Sequence, residues 1–184
     1  MITVENSLLP WNAKITDRMR GRDARGCLDI IRKMCQIGIN PDAYTISSSL
    51  KASVMLGDLE IGRLIHALLI MSVTEASAYV NSTLINMYAK LGNLEDARYV
   101  FEKVSDAQDI VSWNAMLSAY VEHGLVMKAF QLFRQMQAEC IYCDARTFVI
   151  SLQACCILAR DEDSGMLDIQ SFSRVIIALE IGRG

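Results

Sequence analysis

The sequence is poor in the features that mark most functional classes. Only two prolines interrupt its 184 residues, so little in it opposes long helices. No apolar run reaches the eighteen or so residues that a helix needs to cross a membrane. Positive charge is not in excess. With 18 Lys and Arg against 21 Asp and Glu, the formal net charge is -3, which argues against a general polyanion binder but leaves recognition through bases open. The two histidines, His66 and His123, have no Cys or Ser partner at catalytic spacing and are read as structural. The deaminase pattern of His-x-Glu with Pro-Cys-x-x-Cys is missing, and no carboxylates converge as a metal-dependent nuclease requires. Six cysteines without regular pairing or a secretory signal fit a reducing compartment. Cys140 and Cys143 have metal-ligand spacing, but zinc wants four placed ligands and the pair replaces the Gly and Pro of a turn. No catalysis, metal or cofactor is expected.

What is present is apolar and periodic. A 52% apolar content with only 10 Gly favours a packed, helix-rich body. The stretch 109–144 reads as one helical hairpin. Ser112 is the expected N-cap, and Trp113, Met116, Leu117 and Tyr120 follow at i, i+3, i+4, i+7. Gly124 ends that helix, and Ala129, Leu132, Phe133 and Met136 repeat the spacing in a second. A single hairpin buries too little surface to be stable, so neighbours of the same kind are expected.

They are found on both sides. After a leader at 1–7, segment 8–42 aligns Trp11 with Trp113, each followed by Asn-Ala, and both tryptophans are expected as core anchors. Cys27, Ile30, Ile31 and Met34 form its second stripe, and Gly38-Ile39-Asn40-Pro41-Asp42 its exit turn, while Lys14 and Arg18 weaken its first helix. Segment 43–77 offers Thr45 as cap, a turn at Gly57-Asp58, and Gly62, Ile65, His66 and Leu69 on an inner face, with Gly62 allowing close helix approach. Segment 78–109 carries Leu84, Ile85 and Tyr88, then Gly92, then Ala97, Val100, Phe101 and Val104. Segment 110–144 follows. The last, 145–184, begins with Thr147 as cap and Leu152 on the stripe, then departs: the Leu-Glu-Ile-Gly-Arg of 59–63 returns at 179–183 about 18 residues late, an insertion near 160–177. The chain stops inside a helix without a polar capping element, and helical signal starts almost at once, so a fragment is expected.

Repeats of 35, 35, 32 and 35 residues resemble the pentatricopeptide repeat family. The residues that carry the likeness are Val111-Ser112-Trp113-Asn114-Ala115 at a helix start, the Phe133-x-x-Met136 ending, the exit turn at 38–42, the Leu-Glu-Ile-Gly-Arg-x-Ile-His of 59–66 and the Leu-Ile-x-Met-Tyr-Ala-Lys-x-Gly of 84–92. The alternation is similar to the plant subfamily whose ordinary (8–42, 110–144), long (43–77) and short (78–109) repeats rotate, with 145–184 a disrupted long repeat. The resemblance implies an all-α, right-handed superhelical solenoid of helix-turn-helix repeats. It also implies binding of single-stranded organellar RNA, one base per repeat.

In that family each base is chosen by the residue after the opening aromatic position and by the residue closing the repeat. Carried over, Asn12 with Asp42 and Asn114 with Asp144 imply uracil, Ser82 with Asp109 implies guanine, and Ser47 with Ser77 is uninformative; Val149 has no hydrogen-bonding group. The implied footprint is 5′-U-N-G-U-3′. Leu9, Tyr44, Tyr79, Val111 and Arg146 occupy the base-sandwiching positions, Arg20 and Lys90 those for phosphate, and Glu122 departs from the pattern. The role implied is site recognition for cytidine-to-uridine editing or other RNA processing in a mitochondrion or chloroplast, with editing-complex proteins as partners and no membrane. Two blander readings compete. The three Asp residues serve equally as turn residues bonding nearby backbone N–H groups. The hairpins also suit a tetratricopeptide-like scaffold for a protein segment, although the period is not 34 and the W-x-x-L-G-x-x-Y pattern is missing.

Overall fold

A computed structural model describes residues 8–71, 77–104 and 109–158. The leader at 1–7, the insertion near 160–177 and the returning pentapeptide at 179–183 lie outside the described residues. Among the described residues there are nine helices and no strand: α1 (Leu8–Arg20), α2 (Ala24–Gln36), α3 (Ala43–Leu56), α4 (Leu59–Met71), α5 (Ala78–Lys90), α6 (Leu94–Val104), α7 (Ile110–Glu122), α8 (Val126–Ala138) and α9 (Ala145–Leu158). They fall into two compact units, Met1–Val100 and Phe101–Gly184, with the division inside α6.

In the first unit α1, α3 and α5 lie side by side, α2 packs on α1 and α3, and α4 on α3 and α5. In the second, α7 and α9 are neighbours and α8 packs on both. The first helix of each hairpin opens at residues 8, 43, 78, 110 and 145.

The hairpin turns share one backbone solution. In each, the residue two past the turn's start sends its N–H back five residues: Asp23 to the Arg18 carbonyl (2.9 Å), Asp58 to Ser53 (3.1 Å), Asn93 to Tyr88 (2.9 Å) and Leu125 to Tyr120 (2.8 Å). That geometry puts the preceding residue in the left-handed region, where Gly57, Gly92 and Gly124 sit at φ 69, 81 and 69° and Arg22 sits at 55°. The exit turns after α2 and α8 repeat the device with Gly38 (φ 78°) and Cys140 (φ 55°).

Burial follows the helical stripes. Trp113, Met116, Leu117 and Tyr120 of α7 and Ala129, Leu132, Phe133 and Met136 of α8 are all buried. In the first unit Ile15, Cys27, Ile31 and Met34 form a cluster with Ala24, Ile39 and Ala52. A Cβ at Gly62 would lie 2.5 Å from Met87 Sδ, so α4 and α5 meet closely and a larger residue there would have to displace the buried Met87 side chain. His66 is half-buried, its Nδ1 2.9 Å from the Tyr88 hydroxyl, and burial holds its pKa below the ordinary value against the opposing pull of Asp96.

Three expectations need correction. Trp11 is no buried anchor: it packs at the margin of the first unit's core with the Lys14 ammonium 5.2 Å from its ring, whereas Trp113 is 2% exposed and meets Phe101 edge-on at 4.9 Å. Leu152 is 47% exposed, because the inward stripe of α9 is Thr147, Ile150, Ser151 and Ala154, from which position 152 is rotated away. Ser112, Thr45 and Thr147 are not N-caps. Each lies third in its helix, and the capping carboxylate belongs to Asp109, Asp42 or Asp144 three residues earlier.

Candidate functional site

The second, fifth, ninth and thirteenth residues of each first helix fall at i, i+3, i+7 and i+11, which is one face of an α-helix. On α1 these are Leu9, Asn12, Thr16 and Arg20; on α3, Tyr44, Ser47, Lys51 and Met55; on α5, Tyr79, Ser82, Asn86 and Lys90; on α7, Val111, Asn114, Ser118 and Glu122. Exposure repeats along the stripe. The second and thirteenth positions are exposed on all four helices, and the fifth is partly or fully buried.

At the second position, apolar side chains stand in water: Leu9, Tyr44, Tyr79 and Val111 are all exposed, as is Arg146 on α9. The two tyrosines reach back to the ninth position of the preceding first helix. The Tyr44 hydroxyl is 2.6 Å from Thr16 Oγ1, and Lys51 Nζ donates to the Tyr79 hydroxyl at 2.7 Å while lying 5.2 Å from that ring's centroid. Sequence reasoning missed Thr16 and Lys51. The signal was a polar residue recurring seven positions after each sandwiching residue, as Thr16, Lys51, Asn86 and Ser118. At the far end of the stripe, Arg20 and Lys90 are exposed cations and Glu122 an exposed anion.

Two of the three expected pairs are in direct contact. Asn12 Nδ2 donates to Asp42 Oδ2 at 2.9 Å, and Asn114 Nδ2 donates to Asp144 Oδ1 at 3.0 Å. A threonine completes each. Thr45 Oγ1 lies 2.7 Å from Asp42 Oδ1 and 3.2 Å from Asn12 Oδ1; Thr147 Oγ1 lies 2.9 Å from Asp144 Oδ1 and 2.8 Å from Asn114 Oδ1. The same carboxylates accept the backbone N–H of Thr45 (2.7 Å) and Thr147 (2.8 Å), so capping and pairing are one structure. Burial pushes the Asp42 and Asp144 carboxyls up, but the threonine N–H and hydroxyl and the Asn amide outweigh it and hold both below the ordinary range.

The third pair, Ser82 and Asp109, belongs to different units. Ser82 is 6% exposed and donates to the Tyr79 carbonyl at 3.0 Å. Asp109 caps α7, accepting the Val111 and Ser112 N–H groups at 3.1 and 3.3 Å and a short bond from the Ser112 hydroxyl. Ser47, at the same helical position as Asn12, is buried with no partner for its Oγ among the described residues. Asn114 is only 3% exposed, and Asp144 beside it is half-buried. Among the described residues no His, Cys, Asp and Glu side chains are grouped to hold a metal ion, and no helix is long and apolar enough to cross a membrane.

Hairpins stacked side by side, with first helices bearing one repeated stripe, define an all-α helical-repeat solenoid. The crystal structure of the pentatricopeptide repeat protein PPR10 from maize has this fold, with a TM-score of 0.67 over 92% of this chain and 26% of its own, at 18% identity. The model of the PPR repeat family matches residues 108–157, and a PPR repeat model matches residues 82–107. A mitochondrial pentatricopeptide repeat-containing protein of Arabidopsis thaliana is 34% identical over 152 residues, which is 83% of this chain and 17% of the relative. A second from the same plant is 39% identical over 128 residues, 70% of this chain and 21% of the relative. The chain belongs to the pentatricopeptide repeat family, and it spans about a fifth of the length of these two relatives.

Proposed function

We propose that this chain is an RNA-recognition segment that reads single-stranded RNA along the stripe of its first helices, one base per repeat, without chemistry of its own. The observation that carries the reading is the Asn–Asp pair built twice in the same way, at 2.9 Å from Asn12 to Asp42 and 3.0 Å from Asn114 to Asp144. Polar groups held at a fixed helical register suit the splayed bases of single-stranded RNA, which present hydrogen-bonding edges and faces for stacking. Exposed Tyr44 and Tyr79, with Leu9 and Val111, supply such faces, and an aromatic one is worth roughly 1–3 kcal/mol per base. Arg20, Lys51 and Lys90 on the same stripe suit the phosphates.

With repeats taken as 8–42, 43–77, 78–109 and 110–144 in the ordinary, long and short rotation, Asn12–Asp42 takes uracil, Ser82–Asp109 guanine and Asn114–Asp144 uracil, giving 5′-U-N-G-U-3′. Several relatives are named as mitochondrial, and the setting proposed is an organelle, mitochondrion or chloroplast. There the whole protein would select sites for cytidine-to-uridine editing or other RNA processing, with the reaction supplied by another domain or by editing-complex proteins. The test is a titration of the chain against a labelled single-stranded RNA containing U-A-G-U and a shuffled control. Tighter binding of the first is expected, with Asn114→Ser moving the fourth-base preference from uracil towards guanine. Equal affinity for the two RNAs would refute the reading.

A further inference from the structure

We infer that Thr45 and Thr147 are positioning residues for base selection by the repeat that precedes each of them. The inference rests on the RNA-reading function proposed above and adds a residue to each site. Both threonines have 0% exposure, so neither touches RNA itself. Each is the third residue of its helix, α3 or α9, and each sends its hydroxyl back across the repeat boundary to an asparagine 33 residues earlier.

The chemistry follows from the hydrogen-bonding capacity of an amide. Asparagine has two N–H donors and a two-lone-pair oxygen, and the aspartate beside it only accepts. The carboxylate therefore turns the NH₂ end of Asn12 and Asn114 towards itself. One contact alone leaves the amide free to pivot about that bond. The threonine hydroxyl shares its one proton between the aspartate Oδ1 and the asparagine Oδ1, the latter at 3.2 Å in the first site and 2.8 Å in the second, and this second point of contact fixes the plane, more firmly in the second site. A fixed plane gives the remaining N–H and the remaining lone pair one direction each. Uracil presents a ring N–H flanked by carbonyl oxygens, whereas cytosine presents a bare ring nitrogen beside an amino group. A pinned amide can complement the first and meet the second donor to donor; a pivoting one loses the distinction. The same three residue types meet at two sites, in two separate units, with the threonine N–H and hydroxyl on Oδ1 of the aspartate in both; the amide donates to the other oxygen, Oδ2, at Asp42 and to Oδ1 at Asp144.

The hydroxyls also belong to the caps, 2.7 and 2.9 Å from the capping oxygens of Asp42 and Asp144, with Thr147 Oγ1 accepting the Asp144 N–H at 3.2 Å; the contact with the asparagine 33 residues earlier is what a cap alone does not require. One consequence is that each base is chosen by residues of two consecutive repeats. The experiment compares the full chain with Thr147→Val, which keeps the side-chain shape and removes the donor, and with Thr147→Ser, which restores it. Each is titrated against labelled single-stranded RNAs containing U-A-G-U, U-A-G-C or C-A-G-U, with circular dichroism as the check on folding. The expected result is that Thr147→Val loses about tenfold of the uracil preference at the fourth base, equivalent to about 1.4 kcal/mol, keeps it at the first, and regains it as Thr147→Ser. Thr45→Val should do the converse, and it carries the test alone if Thr147→Val does not fold. A folded valine variant with unchanged preference at its own base, or with equal loss at both bases, would overturn the inference while leaving RNA reading intact. A wild-type chain that binds U-A-G-U no better than a shuffled RNA would remove the function, and this inference with it.

Discussion

The hairpins opened by Trp11 and Trp113 carry the same Trp-Asn-Ala start and the same Asn–Asp–Thr network, yet they are supported in opposite ways. Around Asn114 the indole is enclosed, with Phe101 of α6 edge-on at 4.9 Å. Around Asn12 the indole lies at the core margin under Lys14. The turns are reversed too. The first hairpin has arginine at its left-handed turn position and glycine at its left-handed exit; the fourth has glycine at the turn and cysteine at the exit. Both nevertheless bring the amide and carboxylate to within 0.1 Å of the same separation, 2.9 and 3.0 Å. The polar site is set by backbone register, and the surrounding residues decide only how firmly that register is held.

The largest effect that can break this comparison is truncation of the two tryptophans. Trp113→Ala should cost about 3–5 kcal/mol, because it empties a closed site. Trp11→Ala should cost about 1–2 kcal/mol, a partly exposed ring with one cation on its face. Urea unfolding followed by the remaining tryptophan in each variant measures both. Equal losses would mean that the two hairpins are supported alike.

The next effect sharpens the comparison at the turns. A residue with a Cβ pays about 1 kcal/mol in the left-handed region relative to glycine. Arg22→Gly and Cys140→Gly should each raise the free energy of unfolding by that amount, read as a higher urea midpoint, and Gly124→Arg and Gly38→Cys should lower it similarly. Loss of stability in Arg22→Gly would show that its stem contributes more than its backbone costs.

How much of this could be read beforehand depends on which physical signal each residue obeys. Period and apolar spacing are collective signals, and the stripes of α7 and α8 emerge as expected because eight residues agree on one orientation. The capping residues differ from the expectation for a local reason. Ser112, Thr45 and Thr147 have the composition of N-caps, but an aspartate three residues earlier has the same preference and a stronger acceptor, so the hydroxyl falls inside the helix and becomes a donor to the carboxylate. Leu152 lies off the α9 stripe because that stripe is led by Thr147 and Ser151, polar residues that a count of apolar positions ignores. The contact of Asn12 with Asp42 joins residues 30 apart, a spacing that helical periodicity does not show; the resemblance to the repeat family pairs them, and Asn114 with Asp144 repeats the spacing.

The smallest effect concerns acid, and it asks whether the two networks are equally tight. Asp42 and Asp144 both titrate below the ordinary 3.8 when folded, so on acidification the unfolded chain takes up these protons first. Their stabilisation is complete above pH 3.8 and is lost as pH falls below it through the folded values. Replacing the asparagine removes one donor to each carboxylate and brings its folded pKa closer to 3.8, so Asn12→Ala and Asn114→Ala should each shrink the acid-dependent loss and end it at higher pH, by a similar margin. The amide contacts of 2.9 and 3.0 Å differ too little to rank the sites, whereas the threonine-to-asparagine contacts of 3.2 and 2.8 Å do. Valine at Thr147 should therefore shift the acid limb of unfolding more than valine at Thr45, since the tighter hydroxyl also holds the amide against its carboxylate. Identical shifts would place the two networks on an equal footing despite their different distances, and would make backbone register alone the determinant of both.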